Sequence, residues 1–330
     1  MIQAAEISTA WCCVASAVIL SLTGCAPLPH DPKETYLLIT GDTRLPYWQT
    51  MLSGLNRAAS ELRVRAEMDG PENYDPQAEY DAFQRAVRRK PAGILLWAVD
   101  PNLMTPGINA AIAQGIPVIT INADAPDSRR LLFVGTDNYK AGSLAGQLTA
   151  DLLKGKGNVV VFETSAPANA KLRLAGLQDM LSQHHGMKIT QVVDVKGDPT
   201  TVFDAAKQLL GSKDPISAFV CISATAGPEV GEVVNREHMA GKIAVIAMDA
   251  DPRTLDLIQK GVVSAAVVQR PFTMAYFGLK YLDELHHHPP NPLSGEWARD
   301  PSSPLPVFVD TGTFVVDKKN AAAAHLKTGM

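Results

Sequence analysis

Short apolar runs alternate along the chain with longer segments in which apolar residues recur every three or four positions. The first run, residues 36–40, precedes a segment whose apolar face carries Trp48, Met51, Leu52, Leu55 and Leu62. A short apolar run between turn residues predicts a buried strand, and spacing of three to four predicts a helix. Their alternation is typical of parallel strands joined by crossover helices, so we predict an α/β fold.

The alternation occurs twice. We predict strands first at residues 36–40, 64–68, 93–98, 117–122 and 131–134, and then at residues 158–162, 188–193, 218–222, 244–248 and 265–268. Turn-forming residues interrupt the pattern near residue 135. We therefore expect two doubly wound parallel-sheet lobes joined by a multi-strand hinge. The predicted N-terminal lobe is residues 34–136 and 271–309, the C-terminal lobe is residues 137–270 and 310–320, and residues 321–330 form a tail.

Polar side chains follow the last apolar residue of four predicted strands. These residues are Asp42, Asn122, Asp249 and Gln269. Ligands of open α/β sheets bind in the crevice outside the carboxyl ends of the strands. The four side chains are thus predicted to face one site for a small polar ligand.

The first 25 residues are typical of an export signal. Thirteen uncharged residues, 10–22, are too few to span a bilayer as a helix. Leu22-Thr23-Gly24-Cys25 resembles the bacterial lipobox, which implies cleavage before Cys25 and its lipidation. One departure is that residues 1–9 contain Glu6 and neither Lys nor Arg. The alternative is a chance apolar N-terminus. Residues 26–33 contain three prolines and are predicted to be a tether.

Composition excludes several classes of function. The 330 residues are 46% hydrophobic and 19% charged, with a net charge of −4, so no basic surface for nucleic acid is expected. After loss of a signal and lipidation of Cys25, Cys221 would remain alone, which excludes a disulfide framework.

The sequence contains neither a Gly-x-Ser-x-Gly elbow, nor a Walker loop, nor zinc-spaced cysteines and histidines. His286-His287-His288 is interpreted as a solvated helix end, because consecutive side chains do not converge on one ion. We therefore predict no enzyme activity, no cofactor and no metal.

Five segments, in order, resemble type 1 periplasmic binding proteins of the ribose-binding, sugar ABC-transporter group, over residues 34–320. The segments are Leu45-Pro46-Tyr47-Trp48, Arg173-Leu174-Ala175-Gly176-Leu177, Ala247-Met248-Asp249-Ala250, Val268-Gln269-Arg270-Pro271, and Asp310-Thr311-Gly312 with Lys318-Lys319-Asn320. The resemblance implies that Tyr47 and Trp48 flank a sugar ring. It also implies that Arg173 binds hydroxyls, that Asp249 binds ligand and that Gln269 lies at the hinge.

The chain departs from the group's pattern at three places. Asn122-Ala123-Asp124 stands where an Asp-Arg pair is usual, so Asp124 is added to the candidate ligand-binding residues. Ile222-Ser223-Ala224-Thr225 replaces an Asn-Asp pair, and Leu45 replaces an asparagine. A ligand less polar than ribose, or differently hydroxylated, is compatible with these changes.

Structural interpretations of the candidate residues stay open at this point. Asp249 could cap the helix that begins near Pro252, or pair with Arg173 in an empty cleft. Arg173 could lie on an exposed helix face, and Trp48 could be a core residue. Asn122 and Asp124 could form an Asx turn, and Gln269 could serve the hinge alone.

The favoured function is an extracytoplasmic, monomeric lipoprotein, in the periplasm or at the cell surface. It captures a monosaccharide or related polyol between its lobes and delivers it to an ABC permease, with its lipid anchor as the membrane contact. A sensory protein that passes a sugar signal to a membrane receptor is the alternative. A lac-repressor-type regulator needs a DNA-binding segment where the export signal stands.

Overall fold

The computed structural model describes residues 30–31, 33–165, 167–290, 297, 300 and 302–328. The predicted signal, Cys25 and residues 26–29 of the predicted tether lie outside these residues. Within them, no helix is both long enough and apolar enough to cross a membrane.

The strands of the described chain agree closely with the apolar runs. They are β1 (Thr35–Ile39), β2 (Arg65–Asp69), β3 (Gly93–Leu96), β4 (Val118–Ile121), β5 (Phe133–Gly135), β6 (Lys156–Glu163), β7 (Gly186–Asp194), β8 (Ala218–Cys221), β9 (Ala244–Met248), β10 (Ala265–Val268), β11 (Phe308–Asp310) and β12 (Phe314–Asp317). The helices between and after them are α1 (Pro46–Leu62), α2 (Pro76–Arg88), α3 (Pro101–Ala113), α4 (Asn138–Leu153), α5 (Ala168–Ser182), α6 (Pro199–Leu210), α7 (Ala226–Arg236), α8 (Pro252–Gln259), α9 (Pro271–His287) and α10 (Ala321–Thr328).

Two separate six-stranded sheets confirm the predicted fold class. The first has the order β11-β5-β4-β3-β1-β2 and the second the order β12-β10-β9-β8-β6-β7. All neighbouring strands are parallel except β10 and β12. The two strands near the C-terminus are divided between the sheets. The chain therefore passes from one sheet to the other between β5 and β6, between β10 and β11, and between β11 and β12.

Each sheet has a hydrophobic core on both faces. In β1, Tyr36 and Leu38 pack into one cluster, whereas Leu37 and Ile39 pack into another. Strand β6 of the second sheet divides its residues between two clusters in the same way. Strands buried on both faces read as continuous apolar runs, which is why periodicity located them.

Asp-Pro pairs begin four of the helices. In each pair the aspartate accepts a backbone N–H of the first turn, and proline occupies the first helical position. The capping residues are Asp75, Asp100, Asp198 and Asp251.

Two glycines let helices α4 and α5 touch. A Cβ on Gly142 would lie 1.9 Å from the Arg173 carbonyl oxygen, and one on Gly176 would lie 2.0 Å from the Tyr139 carbonyl oxygen. No side chain fits at either position, so the backbones meet directly. This contact fixes the height and rotation of α5, which carries Arg173.

Residues 321–328 belong to the predicted tail but form helix α10. It packs against α8, and Ala321 is fully buried in the core of the second lobe. The apolar face is built from alanines, whose small side chains gave little amphipathic signal.

Candidate functional site

A cleft opens between the carboxyl ends of the two sheets. About 620 Å³ of space, part of it open to solvent, lies between the atoms that line it. Its walls include seven of the eight ligand-binding residues predicted from sequence: Asp42, Tyr47, Trp48, Asn122, Arg173, Asp249 and Gln269. The first four come from the first lobe and the last three from the second. A ligand in the cleft would therefore contact both lobes.

Asp42 organises the entrance to helix α1. Its Oδ1 accepts the backbone N–H groups of Arg44 and Leu45 at 3.0 and 3.3 Å. Burial raises the pKa of this carboxyl, and the two N–H groups oppose the shift. Because one oxygen is held by the loop, the other can accept a ligand hydroxyl.

Four aromatic side chains line the first-lobe wall. The rings of Trp48 and Trp97 have centroids 4.8 Å apart, and Tyr47 and Tyr74 stand edge-on to them at 5.4 and 6.1 Å. Trp48 is only 1% exposed and also belongs to the core cluster. The interpretation of Trp48 as a core residue is thus compatible with its interpretation as a residue that flanks the ligand.

Asn122 has a left-handed backbone, with φ of 65°. This conformation turns the chain sharply after β4, and the Tyr47 hydroxyl donates to Asn122 Oδ1 at 3.0 Å. The pKa of Tyr47 is raised well above its usual value by burial and by the charge of Asp249. The Tyr47 hydroxyl therefore stays protonated and serves as a donor.

Asp124 does not line the cleft, contrary to the prediction. Arg130 donates to both of its carboxylate oxygens at 2.7 Å, and the Thr120 hydroxyl donates to Oδ1 at 2.6 Å. Arg130 is 3% exposed. Asp124 is therefore part of a buried ion pair that closes the loop after β4.

Arg173 is buried and not on an exposed helix face. Its Nε donates to Asn138 Oδ1 at 2.8 Å and its Nη1 to the Ile222 carbonyl at 3.0 Å. Nη2 is buried and has no partner. Burial lowers the pKa of the guanidinium, and the nearby Asp249 charge opposes this. The alternative in which Arg173 pairs directly with Asp249 is not found among the ion pairs of the described residues, so Nη2 can donate to a ligand.

Asp249 and Gln269 form one unit. The Gln269 backbone N–H and its Nε2 donate to the two oxygens of Asp249, each at 3.0 Å. Burial raises the Asp249 pKa, against the effect of Arg173 and of these hydrogen bonds. The residue that caps α8 is Asp251, which accepts the Thr254 N–H at 2.8 Å. Asp249 is therefore available to the cleft, with φ of 60°.

Several polar atoms of the cleft wall are buried without a hydrogen-bond partner. They are Arg173 Nη2, Gln269 Oε1, Ser223 Oγ, Tyr74 OH and Trp97 Nε1. Buried polar groups are normally satisfied, and an unmade bond costs about 1 to 3 kcal/mol. The set contains donors, an acceptor and hydroxyls that do both. A ligand with several hydroxyl groups would satisfy it.

Residues 37–287 match the family model described as "periplasmic binding protein domain". The chain belongs to the periplasmic binding protein family.

Solved structures of family members share the fold over nearly the whole chain. The sugar-binding protein of a sugar ABC transporter from Bacillus halodurans is 35% identical, with a TM-score of 0.77, over 88% of this chain and 99% of that chain. GanP, a glucose-galactose binding protein from Geobacillus stearothermophilus, is 30% identical, with a TM-score of 0.78, over 87% and 98%. The two-lobe fold is that of type 1 periplasmic binding proteins.

A more distant relative is the D-allose-binding periplasmic protein of Escherichia coli (strain K12). It is 23% identical over 258 residues, which are 75% of this chain and 83% of the relative. These relatives are binding proteins and not enzymes. The predicted resemblance is confirmed.

Sequence reasoning missed several residues of this periplasmic binding protein's cleft. Trp97 directly follows β3 but continues its apolar run, so it falls within the predicted strand 93–98. The strand-end rule selects polar residues that follow an apolar run, and it therefore passes over this tryptophan. Tyr74 and Gly197 lie in loops, and no pattern in the neighbouring sequence indicates that they line the cleft.

Glu79 is a fully buried carboxyl behind the first-lobe wall. A Cβ on Gly41 would lie 3.2 Å from both Glu79 Oε2 and the Trp97 ring. Burial raises the pKa of Glu79 well above the ordinary 4.5, and the Val99 backbone N–H opposes this shift only in part. The folded protein therefore holds a neutral acid here at a pH where the unfolded chain has lost the proton.

Glu79→Gln is expected to change the pH dependence of stability. Since the folded pKa is raised, the contribution of Glu79 to wild-type stability is fully present below pH 4.5 and falls as pH rises toward the folded pKa, by about 1.4 kcal/mol per pH unit. The glutamine variant lacks this loss, so its stability relative to wild type should rise as the pH increases above 4.5. Denaturant unfolding at several pH values measures it, with exposed Glu237→Gln as control. Parallel curves for Glu79→Gln and wild type would contradict the assignment.

Proposed function

We propose that the protein captures a monosaccharide or related polyol in the cleft and delivers it to an ABC permease. The observation that supports this most is the array of unpartnered polar atoms in a cleft that has a wall of aromatic rings. A sugar presents hydroxyls that donate and accept, and C–H faces that pack on aromatic planes. The relatives that bind glucose, galactose and allose by name support the same class of ligand.

Ligand capture proceeds by hinge closure in this proposal. Arg173, Asp249 and Gln269 contact the sugar from the second lobe, and Asp42 and the aromatic wall contact it from the first. A ligand that touches both lobes binds the closed state more tightly and shifts the population toward it. The hinge would be the three segments where the chain passes between the sheets. Its lobes would be residues 34–136 with 271–309, and residues 137–270 with 310–320.

Gly197→Ala is expected to hinder closure. Gly197, in the loop after β7, faces Tyr74 of the other lobe, and a Cβ there would lie 2.9 Å from the Tyr74 ring. Overpacking of this kind costs about 1 to 3 kcal/mol, so affinity should fall about five- to 150-fold.

Gly241→Ala is the matched control for this variant. Gly197 and Gly241 have similar positive φ of 74° and 75°, but a Cβ on Gly241 meets nothing within 4 Å. Both variants bear the same backbone strain of about 1 to 2 kcal/mol. Titration calorimetry should show weaker binding for Gly197→Ala alone. Equal affinities of the two variants would contradict closure against Tyr74.

The protein is proposed to act outside the cytoplasmic membrane as a monomer. Its family and the lipobox-like segment support a diacylated Cys25, since two lipid chains anchor stably where one does not. Mass spectrometry of the mature N-terminus tests this. We do not retain the sensory role, because relatives are named for import or ABC transport.

A thermal-shift screen tests the proposed ligand class. Pentoses, hexoses, polyols and amino-sugars would each be added to the purified protein. A ligand that binds only the folded state at 100 times its Kd stabilises by about 2.7 kcal/mol. A panel without any stabilising sugar or polyol would contradict the proposal.

A further inference from the structure

Histidines and carboxylates cluster at the end of the first lobe opposite the cleft. His30 Nε2 lies 2.9 Å from Asp283 Oδ2, and His287 Nε2 lies 3.1 Å from Glu34 Oε2. His287 Nε2 also lies 3.7 Å from Asp283 Oδ1. Glu34 directly precedes β1, whereas Asp283 and His287 are one turn apart on α9. The cluster therefore joins three parts of the chain, none of which takes part in the cleft.

The ligand-type atoms of this cluster converge on one region. One such atom each from His30, Asp283 and His287 lie within 4.8 Å of one another, and the same is true of Glu34, His286 and His287. His287 belongs to both groups. Its neighbour His288 points elsewhere and pairs with Glu284 at 3.3 Å. The prediction that consecutive histidines do not converge therefore holds for His288 but is wrong for His286 and His287, and His287 also contacts residues of other elements.

The carboxylates of the cluster are oriented by further hydrogen bonds. The Tyr36 hydroxyl, which is completely buried, donates to Asp283 Oδ1 at 3.0 Å. The Asp31 backbone N–H donates to Glu34 Oε1 at 3.1 Å. Supporting bonds of this kind hold ligating carboxylates in place at metal sites. The side chains of His30, Glu34, Asp283 and His287 are between 11% and 26% exposed, so an ion could enter.

The cluster carries two negative charges that no lysine or arginine offsets by an ion pair in the described chain. The ion pairs of Asp283 and Glu34 are with histidines alone. Lys33, Arg89 and Lys90 line a surface depression beside Glu34 and His286, and Arg89 pairs with Glu67 instead. A divalent cation would neutralise the two carboxylates.

We propose that His30, Asp283 and His287 form a binding site for a divalent transition metal ion, of which Zn²⁺ is the best match, with Glu34 beside it on His287. Two imidazole nitrogens and one carboxylate oxygen, with water in the fourth position, are a ligand set that Zn²⁺ accepts in tetrahedral sites. The ion would fix the segment before β1 to the end of α9. Residues 26–33 were predicted to be a tether, so the metal would shorten its free part and set how the lobes stand relative to the anchor.

The test uses the full chain without a histidine tag, stripped of metal with a chelator. Titration calorimetry with ZnCl₂ and the visible absorption of bound Co²⁺ would be measured for wild type, His30→Ala and Asp283→Asn. His184→Ala and His288→Ala are controls, because neither residue is in the cluster. We expect one ion per wild-type chain, a tetrahedral Co²⁺ spectrum, and binding weakened at least about 10- to 100-fold in the two cluster variants, since loss of an outer-shell partner alone has an effect of that size.

Two results would overturn the proposal. One is the absence of stoichiometric Zn²⁺ binding to wild type, and the other is binding by His30→Ala that equals wild type. Should Asp283→Asn fail to fold, because it also loses the Tyr36 hydrogen bond, His30→Ala decides alone. Sugar affinity, measured on the same samples, should stay unchanged, so this test is independent of the cleft.

Discussion

Replacement of Arg173 by alanine is expected to weaken sugar binding about five- to 150-fold. The change removes Nη2, which is buried at the cleft without a partner. A ligand hydroxyl that it would contact is then buried without its charged donor, at a cost of about 1 to 3 kcal/mol. Titration calorimetry with the best sugar from the screen gives the ratio.

The same change should also lower the melting temperature of the empty protein. Arg173 donates to Asn138 and to the Ile222 carbonyl, and both acceptors lose that bond. Affinity is therefore compared at a temperature where the variant is folded. Lys171→Ala, on the same helix but exposed, is the control and should keep wild-type affinity. An unchanged Kd for folded Arg173→Ala would remove Arg173 from the site.

Asp249→Ala is expected to have a binding effect of similar size. Its carboxylate is held by two bonds from Gln269 at the floor of the cleft, and the buried Arg173 charge lies nearby. The variant loses an acceptor for sugar hydroxyls and leaves Gln269 unpaired. We expect about five- to 150-fold weaker binding, measured by the same titration.

Asp251→Ala separates this effect from helix capping. Asp251 is two residues away and caps α8, so its removal should lower stability by about 0.5 to 2 kcal/mol and leave affinity unchanged. Asp249→Ala should instead change sugar affinity more than stability. If Asp249→Ala lowers stability and leaves sugar affinity unchanged, the assignment of Asp249 to the site is wrong.

The strand-end rule predicted much of the cleft because it follows from topology. Parallel strands end at one edge of a sheet, so any polar residue just past a strand lies near the ligand crevice. Asp42, Asn122, Asp249 and Gln269 all line the cleft.

The rule failed where tertiary partners decide the outcome. Asp124 also follows a strand, but Arg130, six residues later, takes both of its oxygens. Tyr74 lies in the loop before α2, and its contacts with Trp97 and with Gly197 of the second lobe place it at the cleft. The path of such loops depends on contacts that a local pattern does not contain. The pairing of His30 with Asp283, 253 residues apart, has the same cause.

A crystal structure of the protein with the sugar or polyol that stabilises it most is the most direct test of the proposed site. We expect one ligand between the lobes. Its hydroxyls should lie within about 2.7 to 3.2 Å of Arg173 Nη2, Gln269 Oε1 and the Asp249 carboxylate, with a ring face against Trp48 or Trp97. A ligand bound elsewhere, or one in the cleft that leaves these atoms without partners, would contradict it.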